Sequence, residues 1–334
     1  MNSLPPEPKI KIGGETIGLI NQAEQAFLSI SGILTTIPNN HPAIIHAELN
    51  ETLSSMQIDG AEISYSNYLG LREGGEITAG ISKYTESVDL GIRLLKNVPK
   101  ASHIIKSIHQ KLSGDSPERF RIHNRGEYPS PEKVSQMIDD LDNYILNDIS
   151  YPVTINAALI HAQFEMIHPF DYLNGLVGRI LAQLHFIWKN KMPLPILQIS
   201  SSLLNRKAEY FELLHNVSKN NNWEDWIVFF LSCVVEAGEK TQTILKKFLN
   251  IERNGIDLLI EQETATTASL KLHKYFLSNP ISSVPQITES LGLSKQTANL
   301  LITKFLELGL IEEATGKQRN RIYTNKNIIN LFEQ

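Results

Sequence analysis

Cysteine is almost absent from this chain: one thiol, Cys233, in 334 residues. That excludes an internal disulfide framework and fits a reducing compartment. Cys233 lies in the apolar run Phe229-Phe230-Leu231-Ser232-Cys233-Val234-Val235, so it reads as a buried, inert thiol rather than a nucleophile. No apolar run reaches the length needed to cross a bilayer, and Met1-Asn2-Ser3-Leu4-Pro5-Pro6 lacks the charged-then-apolar pattern of an export signal. A cytoplasmic chain with no membrane partner is expected. Excess positive charge is missing too: the net charge of −5 argues against a whole-chain polyanion binder, while leaving room for a locally basic domain. No internal repeat is visible. The hydrophobic share, 42%, is ordinary for a globular protein, and the length suffices for two domains.

What the chain does have is helical periodicity. After an extended arm over Pro5–Thr16, helices are expected over Asn21–Leu34 and, past the break Ile37-Pro38-Asn39-Asn40, from Pro42 to about Ile58. Gly74-Gly75 reads as a loop; Ile81–Leu95, Ala101–Leu112, Glu132–Leu146 and Val153–Met166 read as helices. Residues 193–204 read as a connector, and a helix begins near Asn205. A cap near Asn222 opens a long helix that buries Trp226, Phe229 and Phe230 and becomes more charged towards Glu261.

The stretch that organises the rest is Ile167-His168-Pro169-Phe170-Asp171-Tyr172-Leu173-Asn174-Gly175-Leu176-Val177-Gly178-Arg179. Pro169 ends the preceding helix by biasing His168 away from the α region. A second helix follows through Leu181, Leu184 and Ile187 to Trp188, with Asn174 placed to cap it and Gly175 leaving room for close approach. Free N–H groups at a helix start, the positive end of its dipole and Arg179 nearby make an anion site facing a histidine.

This stretch resembles the signature of the Fic family, His-Pro-Phe-x-Asp/Glu-Gly-Asn-Gly-Arg-x-x-Arg, whose members mostly transfer AMP from ATP to a protein hydroxyl. His168, Pro169, Phe170, Asn174, Gly175 and Arg179 fall on the pattern. The resemblance implies that His168 is the general base and that Asn174, Gly175, Gly178 and Arg179 hold the nucleotide, with ATP as ligand and an unidentified protein as target. Three positions depart from it. Tyr172 stands where the family keeps its acidic Mg2+ ligand, Leu173 replaces a glycine, and Leu176 replaces the first arginine. No metal ligand is therefore assigned, and transfer is expected to be reduced, altered or absent, because it rests on positioning and charge neutralisation.

Upstream, Ser54-Ser55-Met56-Gln57-Ile58-Asp59-Gly60 resembles the Fic inhibitory motif, Ser/Thr-x-x-x-Glu-Gly/Asn. Carried over, Ser55 belongs to the motif and Asp59 pairs with Arg179; the alternative is a surface turn. Fic proteins place a β-hairpin flap at 116–131, here short and without an apolar strand after the turn, so His123 and its arginines read as a solvated turn. His161 and Glu165 have i, i+4 metal-binding spacing but no third ligand, and are assigned to packing and hydrogen bonding. Tyr210 is either an adenine neighbour, as the resemblance implies, or core.

The fold expected is mainly α: a Fic-type bundle with a small hairpin flap, then a C-terminal module. The divisions are 1–100, carrying the inhibitory motif; 101–250, the Fic core; and 251–334, a linker helix and the module. Past the polar boundary 263–269, helices over Leu270–Leu277, Pro285–Leu291 and Lys295–Leu308 precede strands at Gly309–Glu313 and Arg321–Tyr323. Three helices and a basic hairpin resemble a winged helix-turn-helix. Lys295, Gln296, Thr297 and Asn299 would face a DNA groove, with Lys317, Arg319 and Arg321 on phosphates; protein docking is the alternative. Two function classes stay open: a self-inhibited protein adenylyltransferase, and a non-catalytic nucleotide-sensing or DNA-binding regulator. A homodimer is among the states left open.

Overall fold

The structure, a computed structural model, describes residues 4–6, 9–70, 76–96, 100–114, 119–147, 150–317 and 319–333. The Gly74-Gly75 loop lies outside them. Two compact units emerge: the first from residues 1–36, 48–62 and 74–242, the second from 37–47, 63–73 and 243–334. Among the described residues the elements are fifteen helices and three short strands, the mainly α architecture with a small antiparallel sheet that the periodicity indicates.

In chain order the first elements are α1 (Gly14–Leu34), α2 (Pro42–Ile58), α3 (Tyr65–Gly70), α4 (Glu76–Leu95), α5 (Ala101–Ser113), α6 (Pro131–Asn147), α7 (Val153–Ile167) and α8 (Asn174–Trp188). Then come α9 (Ile199–Asn205), α10 (Lys207–Asn220) and the long α11 (Trp223–Glu261). Helix α1 starts at Gly14, within the expected arm, because Thr16, Ala23, Phe27 and Ile30 share a buried face that one continuous helix can present. Helix Ile199–Asn205, about two turns long, replaces the tail of the expected connector.

The first unit is built around an α7/α8 hairpin. From Thr154 to Ile167 every residue of α7 except Glu165 is buried, and in α8 burial is continuous from Leu176 to Phe186. Such all-round apolar helices are stable only inside a bundle. Helices α6 and α10 pack on α7, while α4 and α5 pack on α8. Polar groups in this core are matched: Trp226 Nε1 donates to the Ala158 carbonyl at 2.9 Å, and Tyr144 donates to Asn156 Oδ1 at 2.7 Å. Cys233 is buried and free, and burial pushes its thiol up to about 12, as expected for an inert residue.

The second unit has its own core, formed by Leu259, Leu272, Phe276, Ile287, Ile302 and Phe305. Its elements are α12 (Thr267–Ser278), β1 (Ile281–Ser283), α13 (Val284–Leu291), α14 (Lys295–Glu307), β2 (Glu312–Glu313), β3 (Ile322–Thr324) and α15 (Lys326–Phe332). Thr266 and Ser269 form a reciprocal capping box on α12, and the Ser294 hydroxyl accepts from the Thr297 N–H on α14. The sheet order is β1-β3-β2, antiparallel throughout, with Ser282 opposite Tyr323 and Glu313 opposite Tyr323 on the other edge. The expected strand from Gly309 is only Glu312–Glu313, because Gly309, at φ 67°, turns the chain first.

Replacing Trp226, at 0% exposure, by Ala should cost about 3–5 kcal/mol in urea unfolding of the intact chain. A loss under about 1 kcal/mol would show that α11 does not hold α7 in place.

Candidate functional site

Helix α7 ends because Pro169 has no N–H and crowds the preceding residue. His168 leaves the α region as expected, but into the left-handed region (φ 49°, ψ 62°), its N–H still bonded to the Phe164 carbonyl at 3.0 Å. The loop ends at Leu173, also left-handed (φ 64°, ψ 15°). Leu173, not Asn174, is therefore the capping position of α8, and no side chain caps it. The reason lies across the loop. Asn174 Oδ1 accepts the Phe170 N–H at 2.9 Å and Asn174 Nδ2 donates to the Phe170 carbonyl at 2.9 Å, so both polar atoms clasp the loop's own backbone. Phe170 is buried and stacks on His109 at 3.8 Å with rings 5° apart.

The first turn of α8 is already met by an anion. Arg179 Nη2 lies 2.9 Å from Asp59 Oδ1, the pairing expected from the motif around residue 55. A Cβ at Gly175 would stand 2.9 Å from both Asp59 Oδ1 and Arg179 Nη1. Glycine there lets the ion pair press against the helix N-terminus, where carboxylates and phosphates are favoured alike. Arg179 is 1% exposed, and a buried guanidinium needs its donors filled. Its Nε donates to Ser55 Oγ at 2.8 Å and its Nη2 to the Ser55 carbonyl at 3.0 Å. Burial, the largest single effect, would lower its pKa; Asp59 together with Tyr210, Glu165 and Tyr84 outweighs that, raises it and keeps the side chain charged. One turn earlier on α2, the buried Glu51 carboxylate accepts from the Ser200 N–H at 3.0 Å and the Ser200 hydroxyl at 2.5 Å. Glu51 and Ser55 on α2 and Asp59 just past its end thus form one stripe facing the hairpin.

His161 reads as the packing residue expected. Its Nδ1 lies 3.0 Å from the Gly178 carbonyl, which can only accept, so that nitrogen carries the proton and Nε2 accepts from the Tyr210 hydroxyl at 2.9 Å. Burial lowers its pKa to about 4. Tyr210 is 1% exposed, packed near Trp226 and joined to Arg179 as well. It is core, and the adenine-neighbour alternative does not fit it: its hydrogen bonds and the Trp226 contact turn it inward. Its neighbour Phe211, 47% exposed, lines a cavity of about 400 Å3 instead.

That cavity is walled by Tyr128, Met166, Phe211, Leu214 and His215, with Glu165 among the lining residues. Tyr128 stacks over His168 at 3.9 Å, 14° from parallel. His168 Nδ1 is buried with no hydrogen-bond partner among the described residues. Burial, then Arg121 and Arg125, lower its pKa to about 4, so the imidazole is neutral at pH 7. Glu165 Oε1 is likewise buried without a partner among the described residues, and burial pushes its carboxyl up to about 7. Gly178 makes room for it: a Cβ there would collide with Glu165 Oε1.

The flap position, as far as described from Arg119 on, is a loop without strand pairing. Arg121 is a correction to the solvated-turn reading. It is 3% exposed, and its guanidinium donates to the carbonyls of His168 (2.7 Å), His123 (3.1 Å) and Pro129, stapling the loop to the end of α7. His123 and Arg125 stay exposed, as expected of a turn. Asp171 is engaged by this loop, its carboxylate 3.6 Å from His123 Nδ1 and its carbonyl accepting from Arg125. Tyr172, 49% exposed, leans on His109. Mg2+ takes hard oxygen ligands, typically carboxylates. A phenol and a carboxylate already beside an imidazole do not fit it, and no cluster of three or more His, Cys, Asp or Glu side chains suited to a metal occurs among the described residues.

In the second unit Lys295, Gln296, Thr297, Asn299, Lys317, Arg319 and Arg321 are all exposed. Thr297 is partly used in the cap of α14, its hydroxyl 2.8 Å from Ser294 Oγ, and Arg321 Nε donates to the Lys317 carbonyl at 2.9 Å. No described helix is long and apolar enough to cross a membrane.

Replacing Gly178 by Ala should destabilise the native chain by about 1–3 kcal/mol, through collision with Glu165. In a Glu165→Ala background the same change should cost much less, because Ala is otherwise the better helix residue. Equal costs in the two backgrounds, measured by denaturant unfolding, would show that the glycine is not there to admit the carboxyl.

The Fic/DOC family profile matches residues 100–186. In fold, the chain is similar to a Fic family protein from Desulfovibrio desulfuricans G20, with 17% identity and a TM-score of 0.57 over 96% of this chain and 98% of that one. It is also similar to Fic-1 (residues 134–508) from C. elegans, with 17% identity and a TM-score of 0.53 over 69% of this chain and 73% of that one. A single-substitution form of that protein gives 16% identity and a TM-score of 0.52 over 68% and 72%. The clasped loop after α7, the histidine at its start and the glycine-led turn of α8 all lie inside the matched residues: this stretch of the chain is a Fic/DOC-family domain.

Proposed function

We propose that the first unit binds ATP and transfers AMP from it to a protein hydroxyl, slowly, under restraint by Asp59. The observation that carries this reading is the Asp59 carboxylate seated on Gly175 and Arg179. It stands where a phosphate would be held by a helix N-terminus and an arginine. Base and sugar enter the cavity beside Phe211, and the phosphates run towards α8. Removing Asp59 exposes Gly175 and Arg179 to them.

In the transfer, the target oxygen forms a bond to the α-phosphorus and the bond from that phosphorus to the bridging oxygen breaks. Pyrophosphate leaves, and the hydroxyl proton passes to neutral His168. A base of pKa near 4 accepts that proton reluctantly. Tyr128 must slide off the imidazole before a hydroxyl can reach it. Leu176, buried, supplies no charge to the outer phosphates, which slows the departure of pyrophosphate. No step is assigned to Mg2+.

Asp59→Gly should tighten ATP binding by about tenfold or more, because a carboxylate facing a phosphate is a like-charge clash. With ATP labelled at the α-phosphate, label should pass to protein in the Asp59→Gly chain and not in the Asp59→Gly, His168→Ala chain, which should still bind ATP. Label transfer indifferent to His168, or ATP affinity indifferent to Asp59, would sink the reading.

A second reading concerns the second unit, proposed as a winged helix-turn-helix that binds DNA. The exposed start of α14, with Lys295 and Gln296, and the exposed bases Lys317, Arg319 and Arg321 support it. Duplex binding should weaken with added salt and with Arg319→Ala and Arg321→Ala. No binding at low salt would remove it.

A further inference from the structure

The cavity beside the candidate base has a composition that phosphate recognition does not explain. Neither Lys nor Arg lines it; what lines it is three rings, Tyr128, Phe211 and His215, two flexible apolar side chains, Met166 and Leu214, the Ser218 hydroxyl, and the carboxyls of Glu127 on the loop and Glu165 on α7. Rings and apolar side chains make a slot for a flat, polarisable group. Glu165 is the one residue of α7 between Thr154 and Ile167 that is not fully buried. Its Oε1 is held against Gly178 without a partner among the described residues, a costly arrangement for a carboxyl with no task.

We propose that Glu165 is the specificity-determining residue of this cavity, hydrogen-bonding the Watson–Crick edge of a purine stacked between Tyr128 and Phe211. This rests on the nucleotide reading above and adds the choice of base to it. The chemistry of the edge sets the preference. A carboxyl that carries its proton accepts from the exocyclic amine of adenine and donates to the adjacent ring nitrogen. A carboxylate instead accepts twice, from the ring N–H and exocyclic amine of guanine. Burial brings the exchange between these forms to about 7. The protein thus favours adenine at acid pH, and guanine gains as pH rises.

Other charged groups face the same carboxyl and must be separated from it. These are His168 at the cap of α7, Arg179 on α8, Asp59 after α2, Glu127 and Tyr128 on the loop, and Tyr210 and His215 on α10. All remain when Glu165 becomes Gln, an isostere that both donates and accepts like the protonated acid. The comparison of Glu165 with Gln therefore isolates this residue.

The test measures equilibrium binding of ATP and of GTP to the intact Asp59→Gly chain and to the Asp59→Gly, Glu165→Gln chain, at about pH 6 and about pH 8. With Glu165 present, the ratio of ATP to GTP affinity should fall by about tenfold between the two pH values. With Gln it should stay near the acid value at both. Titration of the phosphates is common to both nucleotides and cancels in the ratio. A ratio independent of pH with Glu165, or an equal pH dependence with Gln, would overturn the assignment while leaving nucleotide binding intact. Loss of binding in the Gln chain alone, with its unfolding midpoint unchanged, would also overturn it, since Gln can still meet adenine. If neither nucleotide binds either chain, the nucleotide reading itself falls, and this inference with it.

Discussion

A guanidinium buried in the middle of a helical bundle is the constraint on which the first unit depends. Arg179 is not left alone there: an uncompensated charge at 1% exposure would cost about 3–5 kcal/mol, a large part of a domain's margin. Its partners dictate the surrounding architecture. Ser55 comes from α2 and Asp59 from the turn that ends it, so the end of α2 has to meet α8, and Glu51 secures that helix a turn further back through Ser200. Tyr210 completes the ring and passes the network to His161 and the Gly178 carbonyl. Whatever draws Asp59 away leaves Arg179 with Ser55 and Tyr210 and one unmet charge.

The loop between α7 and α8 follows another logic. It is fixed by backbone, through the Asn174 clasp on Phe170 and the Arg121 staple on the carbonyls of His168 and Pro129. Its shape is thus set largely by backbone contacts on either side of Tyr172, where the sequence departs from the signature. The chemistry is not independent of that departure. With Tyr172 and Leu176 in place the site holds a buried imidazole and an ion pair at a helix start, but lacks the acidic side chain and the arginine that the signature would supply.

Much of this was legible because the helices are periodic and the ion pair sits in two motifs with fixed spacing. Asp59 and Arg179 are far apart in the chain, yet each is marked locally, one by Ser55 and Gly60 and the other by Asn174-Gly175. Arg121 carried no such mark: its partners are carbonyls of distant residues, so its burial is a tertiary fact. Tyr210 and Phe211 show a finer limit. Adjacent residues on a helix point about 100° apart, and which of them meets the core was decided by Trp226 and His161, not by local pattern. Strand β1, Ile281–Ser283, is too short for alternation to register, and it exists because β3 offers it an edge.

One consequence follows from the two left-handed residues, His168 and Leu173, that bracket the loop. The turn is bent at both hinges and buttoned by an amide, while the side chain at position 172 stands half in water. Natural variation can therefore rewrite that position without asking the backbone to move. An acidic residue there lies one substitution from the present sequence and would enter on a backbone already bent to hold it.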